Sequence, residues 1–241
     1  LLKQRLRDSI ADSPESIGDD RKAGNAKALH GSPMLSLVKS YQKGGLQQFQ
    51  KRIQDVSPEP VCLIIEPKVD GMAINLVYID GQLAKAITRG NGREGDVLTQ
   101  HVMQVGGVPE FLQNTDGDSI PDYLEIRGEI YVEKETFERI NHAKLMDAEP
   151  EYSTPRNYAA GSMRLKDPEA VRGRCLQLIV FDWGNGSPRA SMPQNQTDFI
   201  DQAREWGFQV PDSVMVESNC DLETVVAQEL KRHRTSQIPC D

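Results

Sequence analysis

Residues 73–89, "AINLVYIDGQLAKAITR", restrict the fold more than any other stretch of the chain. Two strand-like runs meet at Asp80-Gly81, and an Asp-Gly link between such runs marks a tight hairpin. The two strands must therefore lie side by side and antiparallel. That constraint governs the reading of "GNGREG" (90–95), which matches the G-x-G-x-x-G phosphate cradle of dinucleotide folds. The cradle belongs to a parallel βαβ unit, whereas this run follows the second strand of a hairpin. The strand also alternates instead of being apolar throughout. The glycines are read as a turn, either without a ligand or one that brings Arg89 to a phosphate.

Other elements follow from periodicity. Val61–Ile65 is an apolar strand, 123–132 ("YLEIRGEIYV") alternates like one, and 175–183 is another. Leu46, Phe49 and Ile53 share a helix face over 46–54, and Leu2, Leu6 and Ile10 do so near the start. Helices are also expected over 93–105 and 133–146 and around 195–206 and 221–234, while the polar stretch 14–33 reads as loop or linker. Strand pairs on short turns with helices grouped between them define an α+β class with antiparallel sheets. Residues 1–57 are expected to form a helical arm and linker, and 58–241 the main domain.

Composition narrows the function classes. With 38% hydrophobic and 27% charged residues, the 241-residue chain is globular in character. No apolar run approaches the roughly 20 residues that span a bilayer. Cys62, Cys175, Cys220 and Cys240 are widely spaced without a CxxC pair, which argues against a zinc ribbon or a disulfide scaffold and for a reducing, cytoplasmic setting. The formal net charge of −8 lacks the basic footprint of a nucleic-acid binder. Any such contact must be local, or supplied by other domains.

The stretch "VCLIIEPKVDG" (61–71) carries an apolar strand straight into Glu66, Lys68 and Asp70. If the strand persists, these three charges share a face with Cys62 and Ile64. One reading is an exposed, charged strand end with Asp70-Gly71 as a turn. The other makes Lys68 a nucleophile, which requires an unprotonated amine, made accessible by burial, nearby positive charge or a metal. Glu66 and Asp70 favour the ammonium, so in that reading they serve base recognition, or metal and proton handling.

"EPKVDG" followed by a hairpin, then "ITRGNG", "IRGE" and "TPRNYAAGSMR", occur in one order and at compatible spacing. Together they resemble the adenylation domain of bacterial NAD-dependent DNA ligases, a nucleotidyltransferase fold, from about residue 33 to the C-terminus. "PMLSL" (33–37) resembles the segment that covers the adenine in that family. The resemblance implies that Lys68 attacks the adenylyl phosphorus of NAD, releasing nicotinamide mononucleotide and leaving lysine–AMP. AMP would then pass to the 5′-phosphate of a nick in double-stranded DNA, for sealing in replication and repair. It implies adenine contacts from Glu66, Ser36 and Leu37, ribose, proton or metal handling by Asp70, a ribose or phosphate contact from Arg89, and a ribose hydroxyl held by Glu129. Mg²⁺ is expected because a phosphate-bearing group leaves.

In "TPRNYAAGSMRLKDP", Pro155 suits a helix start, and Arg156 and Arg164, eight residues apart, would share a helix face. The resemblance places them on the DNA-facing surface, with Lys166 extending it. The alternative is a solvated basic face.

The chain also departs from the family pattern. Two further lysines of such ligases would lie beyond residue 241, so the domain is expected to be truncated before its last motifs. The first sixty residues lack the tyrosine- and aspartate-bearing helices that recognise nicotinamide mononucleotide, and Asn91 stands where aspartate is common. An oligonucleotide-binding fold, a zinc site and helix-hairpin-helix units are expected outside this chain. The alternatives are an ATP-using DNA or RNA ligase, a capping-type nucleotidyltransferase, a non-catalytic nucleotide- or DNA-binding module, and a purely structural domain.

Overall fold

The computed structural model describes residues 19–22, 24–37, 44–57, 59–113, 120–187 and 192–240, and the expected helix near the start of the chain lies outside them. In chain order the strands are β1 (Lys27–Leu29), β2 (Cys62–Ile65), β3 (Met72–Ile79), β4 (Gln82–Thr88), β5 (Glu94–Asp96), β6 (Tyr123–Tyr131), β7 (Gln177–Gly186) and β8 (Val214–Glu217). The helices are α1 (Gly45–Val56), α2 (Thr99–Val102), α3 (Lys134–Met146), α4 (Pro155–Ser162), α5 (Gln196–Glu205) and α6 (Leu222–Arg234). These elements fall into two compact units, each assembled from separate stretches. The expected α+β class with antiparallel sheets is the one observed.

The larger unit takes residues 19–34, 68–211 and the segment from Ser236 onward. Its centre is a four-stranded antiparallel sheet in the order β4-β3-β6-β7. The Asp-Gly hairpin forms as expected: Asp80 and Gly81 both take positive φ, 48° and 79°, the backbone of a tight two-residue turn. Alternation then sorts the faces. Ile74, Leu76 and Tyr78 of β3 and Leu124, Ile126 and Ile130 of β6 are all at 0% exposure, each such aliphatic contributing about 1.5–3 kcal/mol by burial. The opposite face carries Ala73 and Asn75 of β3 beside Glu129 and Arg127 of β6, paired Ala73↔Glu129 and Asn75↔Arg127. α5 packs on β7, with Phe199 stacked on Trp183 at 5.2 Å between ring centres. α4 packs against β3 and β6.

Two expectations change here. Residues 93–105 are not one helix but β5 followed by the four-residue α2. The tertiary partner decides this, because β5 pairs with β1, which lies inside the stretch read as polar loop. The carboxylate of Asp96, 3% exposed, accepts from Lys22 N at 2.8 Å and Asn25 Nδ2 at 3.1 Å. "GNGREG" is thus a turn that runs into β5, with Gly90 and Gly92 at positive φ, and no helix follows it directly.

The smaller unit comprises described residues from 35–67 and 212–235. There β2 pairs antiparallel with β8, from Cys62↔Glu217 to Ile65↔Val214, and α1 lies against α6. Gln50 Nε2 donates to the carbonyls of Ser218 and Cys220, both at 2.8 Å. The strand does not persist to Asp70: β2 ends at Ile65, and the chain passes into the larger unit between Pro67 and Lys68. Pro67 has no N–H to continue a ladder. Among the described residues no helix is long and apolar enough to cross a membrane.

Candidate active site

Lys68, Val69, Asp70 and Gly71 lead into β3. Their backbone is held on one side by the C-terminal segment, where Val69 bridges Cys240 and Asp70 N donates to Pro239 O at 2.9 Å. On the other side Gly71 passes so close to β6 that an added Cβ would lie 2.1 Å from Ile130 O. Only glycine fits that approach, which explains the last residue of Lys-x-Asp-Gly.

The turn delivers its charges to the polar face of the sheet. Gly71 N donates to Glu129 Oε1 at 3.2 Å, and Asp70 Oδ1 accepts from Arg156 Nη1 at 3.0 Å. Burial pushes the Glu129 carboxyl up to about 7 from its ordinary 4.5, against the pull of Arg156, the Gly71 N–H and Lys68, while Asp70 adds to the rise. Lys68 itself is exposed. The structure therefore gathers four of the expected site residues, Lys68, Asp70, Glu129 and Arg156, in one place.

A pH dependence follows. A carboxyl raised on folding favours the protonated form, so its contribution to stability is present at low pH and lost as pH rises through about 7. For the unliganded chain, acidification from pH 8 to 5 should raise the Glu129 contribution. Glu129→Gln should flatten that slope and gain roughly 2–3 kcal/mol over the parent at pH 8. Urea midpoints measured across this range check it; parallel slopes for the two proteins would mean that Glu129 titrates as an ordinary surface carboxylate.

Further along the same face, β6 presents Glu125 and Arg127, neither of which the sequence placed in a site; Arg127, which could have been read with Glu129 as an exposed charge pair, is buried. Glu125 is fully buried and accepts from Gly31 N (2.7 Å), Ser32 N (3.3 Å), Asn185 N (3.2 Å) and the Tyr123 hydroxyl (2.9 Å). Arg127 Nη2 donates to Ser32 O (2.9 Å), Ser32 Oγ (2.6 Å) and Pro33 O (3.0 Å), and its Nη1 pairs with Asp182 at 3.4 Å. His30 lies between Asn75, whose amide donates to Nδ1 at 3.1 Å, and Arg89, whose carbonyl accepts from Nε2 at 3.2 Å. That pattern is a neutral imidazole, and burial lowers the His30 pKa accordingly. The start of "PMLSL" and the end of β4 are thereby fixed to one sheet face. The signal was in "YLEIRGEIYV": Glu125, Arg127 and Glu129 fall at alternate positions between fully apolar ones.

The remaining expected residues lie on other elements of the chain. Arg89 is half-buried at the end of β4, and its Nε makes no hydrogen bond among the described residues. Arg156 and Arg164 do not share a helix face, because α4 ends at Ser162 with Met163 as its cap. Arg164 and Lys166 instead line a cavity of about 430 Å³ with Lys22, His101, Asp20 and Asp96. Glu66, Ser36 and Leu37 belong to the smaller unit, where Glu66 is half-buried and Leu37 is 68% exposed.

An antiparallel α+β unit that sets a Lys-x-Asp-Gly turn against a carboxylate-bearing strand is that of a nucleotidyltransferase domain. Residues 23–239 match the family described as NAD-dependent DNA ligase adenylation domain, and the chain belongs to that family. Among similar proteins, DNA ligase 1 of Opitutus terrae is 34% identical over 221 residues, covering 91% of this chain and 33% of the relative. The DNA ligase of Porphyromonas gingivalis is 38% identical over 221 residues, covering 90% of this chain and 32% of the relative. The DNA ligase of Halorhodospira halophila is 38% identical over 200 residues, covering 82% and 27%. The chain thus spans about a third of the length of the curated relatives it matches.

Proposed function

We propose that this chain takes AMP from NAD onto Lys68 as the first step of DNA nick sealing. The Lys68 amine attacks the adenylyl phosphorus; the N–P bond forms, the pyrophosphate P–O bond breaks, nicotinamide mononucleotide leaves and the amine gives up a proton. The observation that carries the reading is the Lys68–Asp70–Glu129–Arg156 cluster at the Lys-x-Asp-Gly turn, within a chain of the adenylation family. In this reading Glu66, Ser36 and Leu37 recognise adenine, Glu129 and Asp70 serve the ribose and the leaving proton, and Arg89 meets ribose or phosphate. Arg156 and Arg164 face phosphates of nicked duplex DNA. The balance of −8 supports a reading in which further domains of the same enzyme, in the cytoplasm, supply most of the DNA grip.

Mg²⁺ enters as a companion of the substrate. Among the described residues no three His, Cys, Asp or Glu side chains gather around a common point. In this reading the ion is carried on the nucleotide phosphates, which Mg²⁺ prefers to an all-protein cage. It would neutralise charge developing on the leaving phosphate.

Incubation of the chain with Mg²⁺ and either NAD or ATP, followed by intact mass and peptide mapping, tests the proposal. AMP on Lys68 from NAD alone is the expected result. Adduct from ATP alone would move the chain to the ATP-using branch, and bound nucleotide with no adduct, in this chain and again with both ends extended, would leave a binding module.

A further inference from the structure

We propose that Arg156 is a positioning residue for lysine adenylation itself, acting through Asp70, and is needed before any DNA is present. The inference rests on the reading of Lys68 as the nucleophile and adds to it a residue whose expected role was DNA contact alone.

The geometry begins with α4. Thr154 caps the helix by accepting from Asn157 N at 3.1 Å, and Pro155 opens it. Tyr158, one turn in, is buried against Tyr152 and Phe137, with ring centres 4.8 and 6.2 Å apart, and its hydroxyl donates to Arg174 O at 3.0 Å. The first turn is therefore fixed on both sides, and Arg156 leaves it aimed at Asp70. A cation there opposes the helix dipole, so helix formation does not account for Arg156. Its ion pair does: the Asp70 carboxylate, 24% exposed, is the more enclosed partner, and the Arg156 side chain is 48% exposed.

The consequence for chemistry concerns charge. Lys68 must shed its proton before it attacks, and any carboxylate turned toward it favours the ammonium. Asp70 lies two residues away, and both Lys68 and Asp70 act on the Glu129 carboxyl. By engaging the Asp70 carboxylate at 3.0 Å, Arg156 draws its charge away from Lys68 and adds a positive charge to the cluster. Arg156 adds a side-chain restraint to a turn whose backbone is tied through Val69 to Cys240, through Asp70 to Pro239 and through Gly71 to Glu129.

The test is single-turnover AMP transfer from NAD to Lys68 without DNA, in the parent chain, Arg156→Ala, Arg156→Lys, Asp70→Asn and the double variant, all checked for an unchanged thermal midpoint. Arg156→Ala should slow the transfer about tenfold at saturating NAD with little change in the KM for NAD, the loss of one charge-assisted hydrogen bond. Arg156→Lys should restore part of the rate. In the Asp70→Asn background, Arg156→Ala should cost little more, because residues acting as a unit are not additive. Parent-like transfer by Arg156→Ala, with sealing of a pre-adenylated nick reduced, would make Arg156 a DNA contact only and overturn the inference. Full additivity with Asp70→Asn would overturn the route through Asp70. No AMP taken from NAD by the parent chain, nor by the same protein extended at both ends, would overturn the proposed function, and this inference with it.

Discussion

Lys68→Ala will leave a folded chain that takes no AMP. The side chain is exposed, and the neighbouring backbone is held by Val69 and Asp70 against the C-terminal segment, so truncation removes no core packing. An exposed substitution of this kind shifts stability by about 0.5 kcal/mol or less. The adduct, by contrast, depends on one nitrogen, and its loss should be complete. Lys68→Arg sharpens the result: it keeps the positive charge, but a guanidinium stays protonated and does not serve as the nucleophile. Mass spectrometry after incubation with NAD and Mg²⁺ should therefore be blank for both variants. AMP uptake by Lys68→Arg at the parent's rate would reduce Lys68 to an electrostatic contact.

The second large effect falls on stability. Arg127→Met should destabilise the chain by about 3–5 kcal/mol, the cost of breaking a buried charge network from one side. The reason is the number of partners stranded: Asp182 loses its cation, and Ser32 O, Ser32 Oγ and Pro33 O lose their donor, in a region where Arg127 is 6% exposed. Thermal unfolding should fall by roughly 10 °C for a domain of this size. Arg127→Lys should recover little, because a single ammonium cannot reproduce the fork that meets both the turn and the carboxylate. A loss below about 1 kcal/mol, the range of a surface ion pair, would show that water reaches the pair and screens it.

Legibility in the sequence followed the range of the deciding interaction. The β3–β4 hairpin could be read because a two-residue turn carries its own instruction in Asp80-Gly81. Glycine at 71 and the charges at 68 and 70 could be read as a motif. β1 and β5 could not: three residues at 27–29 meet three at 94–96, and neither segment has a periodicity of its own. Glu125 and Arg127 left only their alternation along 123–132 as a signal, and their purpose becomes visible when residues 31–33 are laid across β6. Counting helix turns from Arg156 to Arg164 failed because α4 stops at Ser162, after which spacing no longer maps to a face. The run from Val61 was extended too far, because alternation along a strand says nothing about where Pro67 and a change of unit interrupt it.

The pairing of β2 with β8 sets a schedule for synthesis on the ribosome. Cys62 and its partner Glu217 are separated by about 150 residues, which at ribosomal elongation rates amounts to roughly 8–30 s. Throughout that interval β2 has emerged from the ribosome while the strand it will pair with has not. The hairpin of β3 and β4 can close within microseconds of its emergence. Nascent chains should therefore carry an ordered hairpin next to an unpaired apolar strand edge, the segment that a chaperone would meet first.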